Sequence, residues 1–532
     1  MMASSRKEGV VSVPIGIELL PTVECINRNK AYKLFIMVST FLCYSSYHLS
    51  RKPISVVKNV LHHNSSNSSG WAPFDEPDYK TLLGSLDYAF LFTYAVGMFL
   101  SGHVAERVNL RYFLSCGMLL SGILTAAFGF GYFFNIHSLT YYIFVQIFCG
   151  LFQASGWPSV VTYMGNWFGK GNRGLIMGIW NSHTSVGNIL GSVIAGEFVE
   201  TNWGWSFVAP GIIIGAMGIF AFLFMIHRPE FVQCTPPEHA EKSQNKYIQS
   251  SETEPLVETE EISSGKAISF FEALKIPGVV EFSLCLFFAK LISYTFLYWL
   301  PNFIKNKTHL NAQRAANLST FFDTGGIIGG ICAGFLSDKT KSSGIICMIM
   351  SAFAAPLLYI YNAYGAVNYT WNIVLLIICG VFVNGPYALI TTAVSADLGT
   401  HQCLEGNTQA IATVTSIIDG TGSMGAALGP LLTGILSQRN WNYVFYMLIA
   451  ADAFAFLLLI QEYEGLQQTT RERRDRLRTP SPDRSGETLR FDDNSDSDKE
   501  NGFEKEPKWH RYGKLMNSNR ATPSPEPFDE NL

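Results

Sequence analysis

Residues 206–227 read SFVAPGIIIGAMGIFAFLFMIH, a run without a single Asp, Glu, Lys or Arg. At about 1.5 Å of rise per residue, a helix of this length crosses the ~30 Å hydrocarbon core of a bilayer. Similar apolar runs recur along the chain, and only 15% of its 532 residues are charged while 48% are hydrophobic. Soluble domains carry about 25% charged residues. The pattern indicates a polytopic membrane protein and excludes a soluble enzyme, a disordered scaffold and a collagen-like fibre.

The apolar runs predict twelve spans, numbered here in chain order. Their predicted bounds are 33–60, 81–102, 112–133, 138–162, 174–198, 206–227, 279–302, 316–336, 343–362, 372–395, 409–436 and 442–461. The first span is irregular, because Leu34–Tyr47 alone is too short to cross a bilayer. Either a long helix continues past Arg51, Lys52 and Pro53, or the helix ends at Ser50.

Two signals orient the spans. Short loops after even-numbered spans carry basic residues, which marks that side as cytoplasmic: Arg107, Arg111, Lys170, Arg173, Lys339 and Lys341. The glycosylation sequons fall in the opposite, luminal or extracellular loops: Asn64, Asn67, Asn306 and Asn368. We therefore expect a glycoprotein with both termini in the cytoplasm.

Polar segments divide the chain into five regions. We expect a cytoplasmic N-terminal segment at 1–30, a six-helix bundle at 31–227, a cytoplasmic loop at 228–276, a second six-helix bundle at 277–462 and a disordered cytoplasmic tail at 463–532. The first 30 residues lack the compact apolar core and cleavage site of a signal peptide.

The two halves carry a matching pattern, which suggests an internal repeat. Each has a glycine, an acid four residues later and then a base: Gly102, Glu106 and Arg107 after span 2, and Gly334, Asp338 and Lys339 after span 8. Either copy alone reads as a solvated turn, whereas two copies at equivalent positions predict gating loops.

Finer motifs narrow the class: YSSYHLSRKP (44–53), GWP (156–158), NWFGK (166–170), WNSHTSVG (180–187) and GSMGAALGP (422–430). With the twelve spans, they resemble the organophosphate:phosphate antiporters of the major facilitator superfamily over about 31–462. Within that group, the sequence is similar to the eukaryotic sugar-phosphate exchangers of the glucose 6-phosphate:phosphate antiporter type. The resemblance implies an all-α membrane fold of two pseudo-symmetric six-helix bundles.

An ionisable residue inside a membrane is costly unless it is paired or hydrated. The candidates are Arg51, Lys52, Asp87, Lys290, Asp323 and Asp419. Arg51 and Lys52 are either substrate-binding cations or a snorkelling luminal anchor, and adjacent helical residues point about 100° apart, so they cannot face one ligand equally.

The resemblance implies two arginines, one from each half, around the phosphoryl group. Arg51 matches the first position, whereas the second reads Ser293. Lys290 precedes Ser293 by three residues on nearly the same helical face and is a candidate for the second cation. The alternative is a charge partner for Asp323 or Asp419.

Aromatic and histidine residues complete the predicted site. A family histidine in span 5 corresponds to Thr184, with His183 beside it. His183 suits a proton-sensitive bond to phosphate or a structural bond to another helix. Tyr44 and His48 lie one turn apart and can flank the sugar or the phosphate, although aromatic residues in spans are often packing residues.

These features predict an antiporter that exchanges a phosphorylated sugar, glucose 6-phosphate above all, for inorganic phosphate by alternating access. The resemblance alone places it in the endoplasmic reticulum membrane. No Walker A loop, Cys/His metal spacing or catalytic triad is recognisable, so we expect no cofactor, metal or enzymatic activity. We expect no nucleic-acid partner and identify no protein partner. The alternatives are a transporter of another organic anion, such as glycerol 3-phosphate, and a transporter-like receptor or scaffold.

Overall fold

The computed structural model describes residues 13–18, 27–62, 70–105, 108–168, 173–235, 270–398 and 410–478, and within these ranges the regular structure is helical throughout. Met1–Arg471 form one compact unit and Glu472–Leu532 a second, of which only the end of the last helix is described. The contacts, cavities and sites described below all lie in the first unit.

Helices within the described ranges correspond to all twelve predicted spans, and three of the spans consist of two helices each. The bounds are Arg28–Arg51 with Pro53–Leu61 (span 1), Tyr79–Ala105 (span 2), Leu110–Phe133 (span 3), Leu139–Gln153 with Gly156–Trp167 (span 4), Arg173–Asn181 with His183–Phe198 (span 5), Trp205–Phe224 (span 6), Val279–Thr308 (span 7), Ala312–Thr340 (span 8), Ser343–Tyr364 (span 9), Tyr369–Leu389 (span 10), Ala410–Arg439 (span 11) and Trp441–Arg478 (span 12). A π-helical turn, Ile390–Val394, and Ser395–Leu398 extend span 10. Nine helices among the described residues are long and apolar enough to cross a membrane, and the helices of spans 1, 5 and 11 are not among these nine.

Span 1 continues past its basic residues, as the longer of the two predictions has it, but it is interrupted at Lys52. The second helix begins at Pro53, which has no backbone N–H and cannot continue the hydrogen-bond ladder of the first. Leu61 ends the second helix. The extension places Lys58 inside the span, a buried cation that the sequence analysis did not single out.

Spans 4 and 5 are interrupted as well. Span 4 breaks after Gln153, where Pro158 removes a ladder donor in the following turn. Span 5 breaks at Ser182. Irregular backbone inside a membrane is tolerated where it is buried in protein or lines a cavity. The three interruptions therefore mark the interior of the N half, by which we mean spans 1–6.

The N half meets the C half, spans 7–12, along two helix pairs: span 2 packs along span 11, and span 5 packs along span 8. Inside the C half, Gly425 brings span 11 close to span 7, because a Cβ there would overlap the Phe287 carbonyl oxygen. Gly425 of the GSMGAALGP motif thus serves close helix packing.

The expected gating loops are helical where the structure describes them. Gly334, Asp338 and Lys339 lie in the last turns of span 8, which ends only at Thr340, before Lys341 with φ 53°. No proline interrupts this segment, so the glycine at its start does not end the helix. Gly102 likewise lies inside span 2, which runs to Ala105. Glu106 and Arg107 lie outside the described residues.

The last helix also runs further than expected. Span 12 continues to Arg478, past residue 462 where the disordered tail was expected to begin. Residues 463–478 are rich in Glu, Gln, Leu and Arg, which are good helix formers, and the next proline is Pro480. The disorder expected for 463–478 therefore does not agree with this helix, and residues 479–532 lie outside the described ranges.

Candidate substrate-binding site

A cavity of about 540 Å³ lies between the halves, and we call it the inter-half cavity. Span 1 contributes one residue, span 5 contributes six, and spans 7, 8 and 10 supply the rest. The lining residues are His48, Gly178, Asn181, Ser182, Thr184, Ser185, Asn188, Ser293, Tyr294, Leu297, Phe322, Asp323, Gly326, Ile327, Gly330, Asn384, Tyr387 and Ala388. Amides, hydroxyls and aromatic rings dominate this wall, which suits a small polar ligand.

Arg51 is a buried cation without a carboxylate partner among the described residues. Its side chain is 3% exposed, and its Nε donates to Gln153 Oε1 at 2.7 Å. The two terminal nitrogens have no hydrogen-bond partner in the described part of the chain. Burying a charge without compensation is costly. Such a guanidinium is therefore suited to receive an anion.

Tyrosine side chains surround this guanidinium. It lies 4.6 Å from the ring centre of Tyr94, whose hydroxyl is 3.4 Å from that of Tyr44. Tyr294 and Tyr298 are close enough to interact with it electrostatically. Arg51 and Tyr298 line a second cavity of about 310 Å³, whereas Tyr294 lines the inter-half cavity. Arg51 therefore lines the second cavity and lies within electrostatic range of a tyrosine in the wall of the inter-half cavity.

Lys290, the candidate second cation, is paired. Its Nζ lies 2.7 Å from Asp419 Oδ1 and 3.3 Å from Ser423 Oγ. Ser293, one turn further along span 7, lines the inter-half cavity and donates to Asn384 Oδ1 at 2.9 Å. Of the two partners considered from the sequence, the structure selects Asp419.

Lys52 faces the C half. Its Nζ donates to the Leu297 carbonyl at 3.1 Å and lies 3.9 Å from Asp323 Oδ2. Arg51 and Lys52 therefore contact different partners, as expected for adjacent residues that point about 100° apart. Asp323 also accepts a hydrogen bond from Asn188 at 2.8 Å, and Asn188 Oδ1 is 3.2 Å from His48 Nδ1.

His183 is enclosed by aromatic rings. The ring centres of Trp180 and Tyr44 lie 4.5 Å and 4.8 Å from its own, and its Nδ1 is 3.2 Å from Thr184 Oγ1. Thr184 lines the inter-half cavity, as does His48, whose ring centre is 5.3 Å from that of Tyr44. Tyr44 thus connects the two histidines to the Tyr94 hydroxyl beside Arg51.

One buried ion pair was missed from the sequence. Lys58 forms a short contact with Asp87 of span 2, and both side chains are fully buried. Lys58 also donates to the Tyr298 carbonyl of span 7 at 3.2 Å. The sequence did contain a signal for Lys58, because a span 1 that extends beyond Pro53 places this lysine inside the membrane.

The sequons separate into two groups. Asn64 and Asn67 lie outside the described residues. Asn306 lies inside the helix of span 7, where its Nδ2 donates to the Asn302 carbonyl at 2.7 Å. Asn368 caps span 10, and its Oδ1 accepts from the Trp371 N–H at 2.8 Å.

Two helical halves, a polar cavity between them and buried charges within the spans define a secondary transporter of the major facilitator type. Comparison with known proteins agrees. Residues 40–402 match the sequence profile of the Major Facilitator Superfamily. The solved structure of a bacterial homolog to the human lysosomal transporter Spinster, inward-facing and unoccupied, aligns with a TM-score of 0.56 over 82% of this chain and 98% of that one. At 16% identity this likeness concerns the fold alone.

Relatives of known name are much more similar in sequence. Glucose-6-phosphate exchanger SLC37A2 of Xenopus laevis is 57% identical over 466 residues, covering 82% of this chain and 93% of that one. The Homo sapiens SLC37A2 is 56% identical, covering 81% and 92%, and the Homo sapiens SLC37A1 is 50% identical, covering 84% and 95%. The chain therefore belongs to the Major Facilitator Superfamily and, within it, to the glucose-6-phosphate exchanger family.

Proposed function

We propose that this multi-pass membrane protein exchanges glucose 6-phosphate for inorganic phosphate by alternating access. The observation that carries the proposal is the Arg51 guanidinium, which is buried with both terminal nitrogens unpartnered among the described residues. Arginine holds two phosphate oxygens at once, and a phosphate is the ligand that its fork geometry fits. The names of the relatives above supply the sugar phosphate.

The phosphoryl group would bind between Arg51 and the tyrosine hydroxyls, on the side of the inter-half cavity. Arg51 and Lys290 both act electrostatically on His48, and both act on Tyr94. Arg51 would be the principal anchor. Lys290 would attract the phosphate only weakly, because Asp419 neutralises most of its charge. Tyr44, His48, Thr184 and Ser293 would contact the ligand, whereas Lys52 and His183 would position their neighbours.

Exchange, rather than uniport, follows from the cost of an empty site. An unpaired guanidinium in low dielectric is strongly unfavourable, and a bound phosphate or sugar phosphate compensates it. Reorientation of the loaded site should thus be faster than reorientation of the empty one. A receptor or scaffold has no need of buried charged residues within its membrane spans, so the transport proposal is favoured over that alternative.

We place the protein, from its family resemblance, in the endoplasmic reticulum membrane with both termini in the cytoplasm, and we expect glycan on the luminal side. In this orientation, the ends of spans 2 and 8 that carry Gly102 and Gly334 face the cytoplasm. The segments Gly102–Arg107 and Gly334–Lys339 would then act as gate elements on that face.

Counterflow in proteoliposomes tests the exchange directly. Vesicles with purified protein and internal phosphate should accumulate labelled glucose 6-phosphate at least tenfold faster than the same vesicles loaded with an uncharged buffer in place of phosphate. Equal rates in both would reject antiport. Uptake of glycerol 3-phosphate in preference to glucose 6-phosphate would favour the alternative organic anion, and no uptake of any phosphate ester would favour the receptor.

A further inference from the structure

Asp323 is an anionic residue in the wall of a cavity that we assign to an anionic substrate. Its side chain is 6% exposed and lines the inter-half cavity. One oxygen, Oδ1, accepts the Asn188 amide at 2.8 Å. The other, Oδ2, has the Lys52 ammonium at 3.9 Å, which exceeds hydrogen-bond length. Within the described ranges, Oδ2 accepts no hydrogen bond.

This arrangement leaves a carboxylate oxygen that needs a donor. A phosphate would be repelled by it, because both carry negative charge. A hydroxyl group, in contrast, donates to a carboxylate, and such charge-assisted bonds are about twice as strong as neutral ones. Lys52 lies 3.9 Å from Asp323 Oδ2 without donating a hydrogen bond to it, so this oxygen stays available to a ligand.

Other residues of the cavity lining support the same role for the cavity. Asn384 of span 10 and Ser293 of span 7 present an amide and a hydroxyl 2.9 Å apart, which can donate to and accept from a polyol. Tyr387 and Phe322 add aromatic surface to the lining. The anion-binding guanidinium lies elsewhere, one helical turn from His48 on span 1.

We propose that Asp323 is the residue that recognises the hydroxyl groups of the substrate and sets its orientation. The inference rests on the proposed function, because it takes Arg51 as the phosphoryl anchor. A cation at one end of the site and an acceptor carboxylate at the other give the site a direction. A phosphorylated polyol then binds with its phosphate at Arg51 and its hydroxyls at Asp323, whereas inorganic phosphate uses the Arg51 end alone.

The test compares two phosphate monoesters that differ in hydroxyl groups. Competition with labelled phosphate for purified, full-length protein gives apparent affinities for glucose 6-phosphate and for n-butyl phosphate. The unmodified protein should prefer glucose 6-phosphate. In Asp323→Asn the preference should shrink by about tenfold to a hundredfold, the range expected for loss of a hydrogen bond to a charged group. The affinity for n-butyl phosphate should change much less than that for glucose 6-phosphate.

Two further variants keep the result interpretable. Asp323→Asn leaves Lys52 without its counter-ion, so the double variant Lys52→Met/Asp323→Asn removes both charges and should fold if the single variant does not. It should show the same loss of preference. Asp452→Asn is the matched control, because Asp452 is also a buried aspartate of the C half but lines neither cavity. Its affinity ratio should equal that of the unmodified protein.

The outcomes separate the two proposals. An unchanged affinity ratio in the Asp323 variants, or an equal loss for both esters, would overturn the role of Asp323 while leaving phosphate exchange intact. An unmodified protein that binds neither ester nor phosphate would overturn the proposed function, and this inference with it.

Discussion

Lys290 Nζ lies 2.7 Å from Asp419 Oδ1, so these two buried residues form an ion pair between spans 7 and 11. Arg51, in the other half, has a glutamine and aromatic rings around it instead of a carboxylate. The two cations that the sequence places near the phosphoryl group are thus in different electrostatic states. One is neutralised inside its own half, and the other is available to a ligand.

This difference predicts that Arg51 cannot be replaced by lysine. Arg51→Lys keeps the positive charge but loses the planar fork that grips two phosphate oxygens. Phosphate self-exchange in proteoliposomes should fall at least tenfold, in line with ~1.5–3 kcal/mol for a hydrogen bond to a charged group. The melting temperature of the purified variant should stay close to that of the unmodified protein. Normal exchange by Arg51→Ala would show that Arg51 is a luminal anchor only.

Lys290 should behave as a structural partner first. Lys290→Ala leaves Asp419 unpaired, and removing one member of a buried pair costs about 3–5 kcal/mol. Abundance and melting temperature should therefore fall. Asp419→Asn should be destabilising for the converse reason, whereas Lys290→Met/Asp419→Leu should recover much of the loss. Lys290→Arg, which keeps the charge, should be tolerated better than Lys290→Ala.

The same variants decide whether Lys290 also touches the ligand. A folded double variant that exchanges phosphate at a substantial rate agrees with a supporting electrostatic role. A folded double variant without exchange would contradict it and would make Lys290 a direct phosphate ligand. If the double variant is no more stable than the singles, the ion pair does not hold spans 7 and 11 together.

The sequence predicted the fold well because most spans are long apolar runs, and this signal does not depend on how the helices are rotated. It also identified Arg51, since an unexplained charge inside a membrane needs a function. The partner of Lys290 could not be chosen, because Asp323 and Asp419 lie on different helices and only the packing shows which of them span 7 faces.

The local sequence led to two errors, a loop predicted where the structure has a helix and two polar residues that were overlooked. The glycine–acid–base pattern of Gly334, Asp338 and Lys339 suggested a loop after span 8, but each of these residues costs a helix at most about 1 kcal/mol, and the helix includes all three. Asn188 and Asn384 were overlooked because a neutral amide in a span carries no penalty that marks it. Their importance follows from what they contact, namely Asp323 and Ser293.

The structure sharpens the glycosylation prediction. The Asn306 nitrogen to which a glycan would be attached donates two hydrogen bonds to Asn302 inside a helix. We therefore expect glycan on Asn64 or Asn67. Enzymatic deglycosylation should increase gel mobility, and Asn64→Gln/Asn67→Gln should remove most of this shift. Asn306→Gln is the control and should leave the shift nearly intact. If Asn306→Gln removed the whole mobility shift, the glycan would be on Asn306 and not on Asn64 or Asn67.

Alternating access predicts that the halves separate at the end of the spans expected to face the lumen. In this structure they are joined there. Asn302 Nδ2 of span 7 donates to Asn59 Oδ1 of span 1 at 3.1 Å, and Lys305 donates to the Asn59 carbonyl. Span 2 is held to span 11 at the same end, because Gln438 Nε2 donates to Thr81 Oγ1 at 2.7 Å. The end expected to face the lumen is thus closed, and alternating access requires these contacts to break.

A cross-link between Asn59 and Asn302 should therefore stop exchange. In Asn59→Cys/Asn302→Cys, a short cleavable bifunctional thiol reagent should reduce phosphate counterflow at least tenfold, and cleavage of the cross-link should restore it. The matched control is Asn362→Cys/Asn442→Cys, whose parent amides make the same 3.1 Å contact but lie within the C half. Cross-linking that pair should leave exchange within about twofold of the untreated rate, because spans 9 and 12 move together as one bundle. Each single cysteine variant, treated with the reagent, reports any effect on the native cysteines. Full exchange by the cross-linked Asn59–Asn302 pair would show that the halves do not separate at this end, and alternating access between them would then be wrong for this protein.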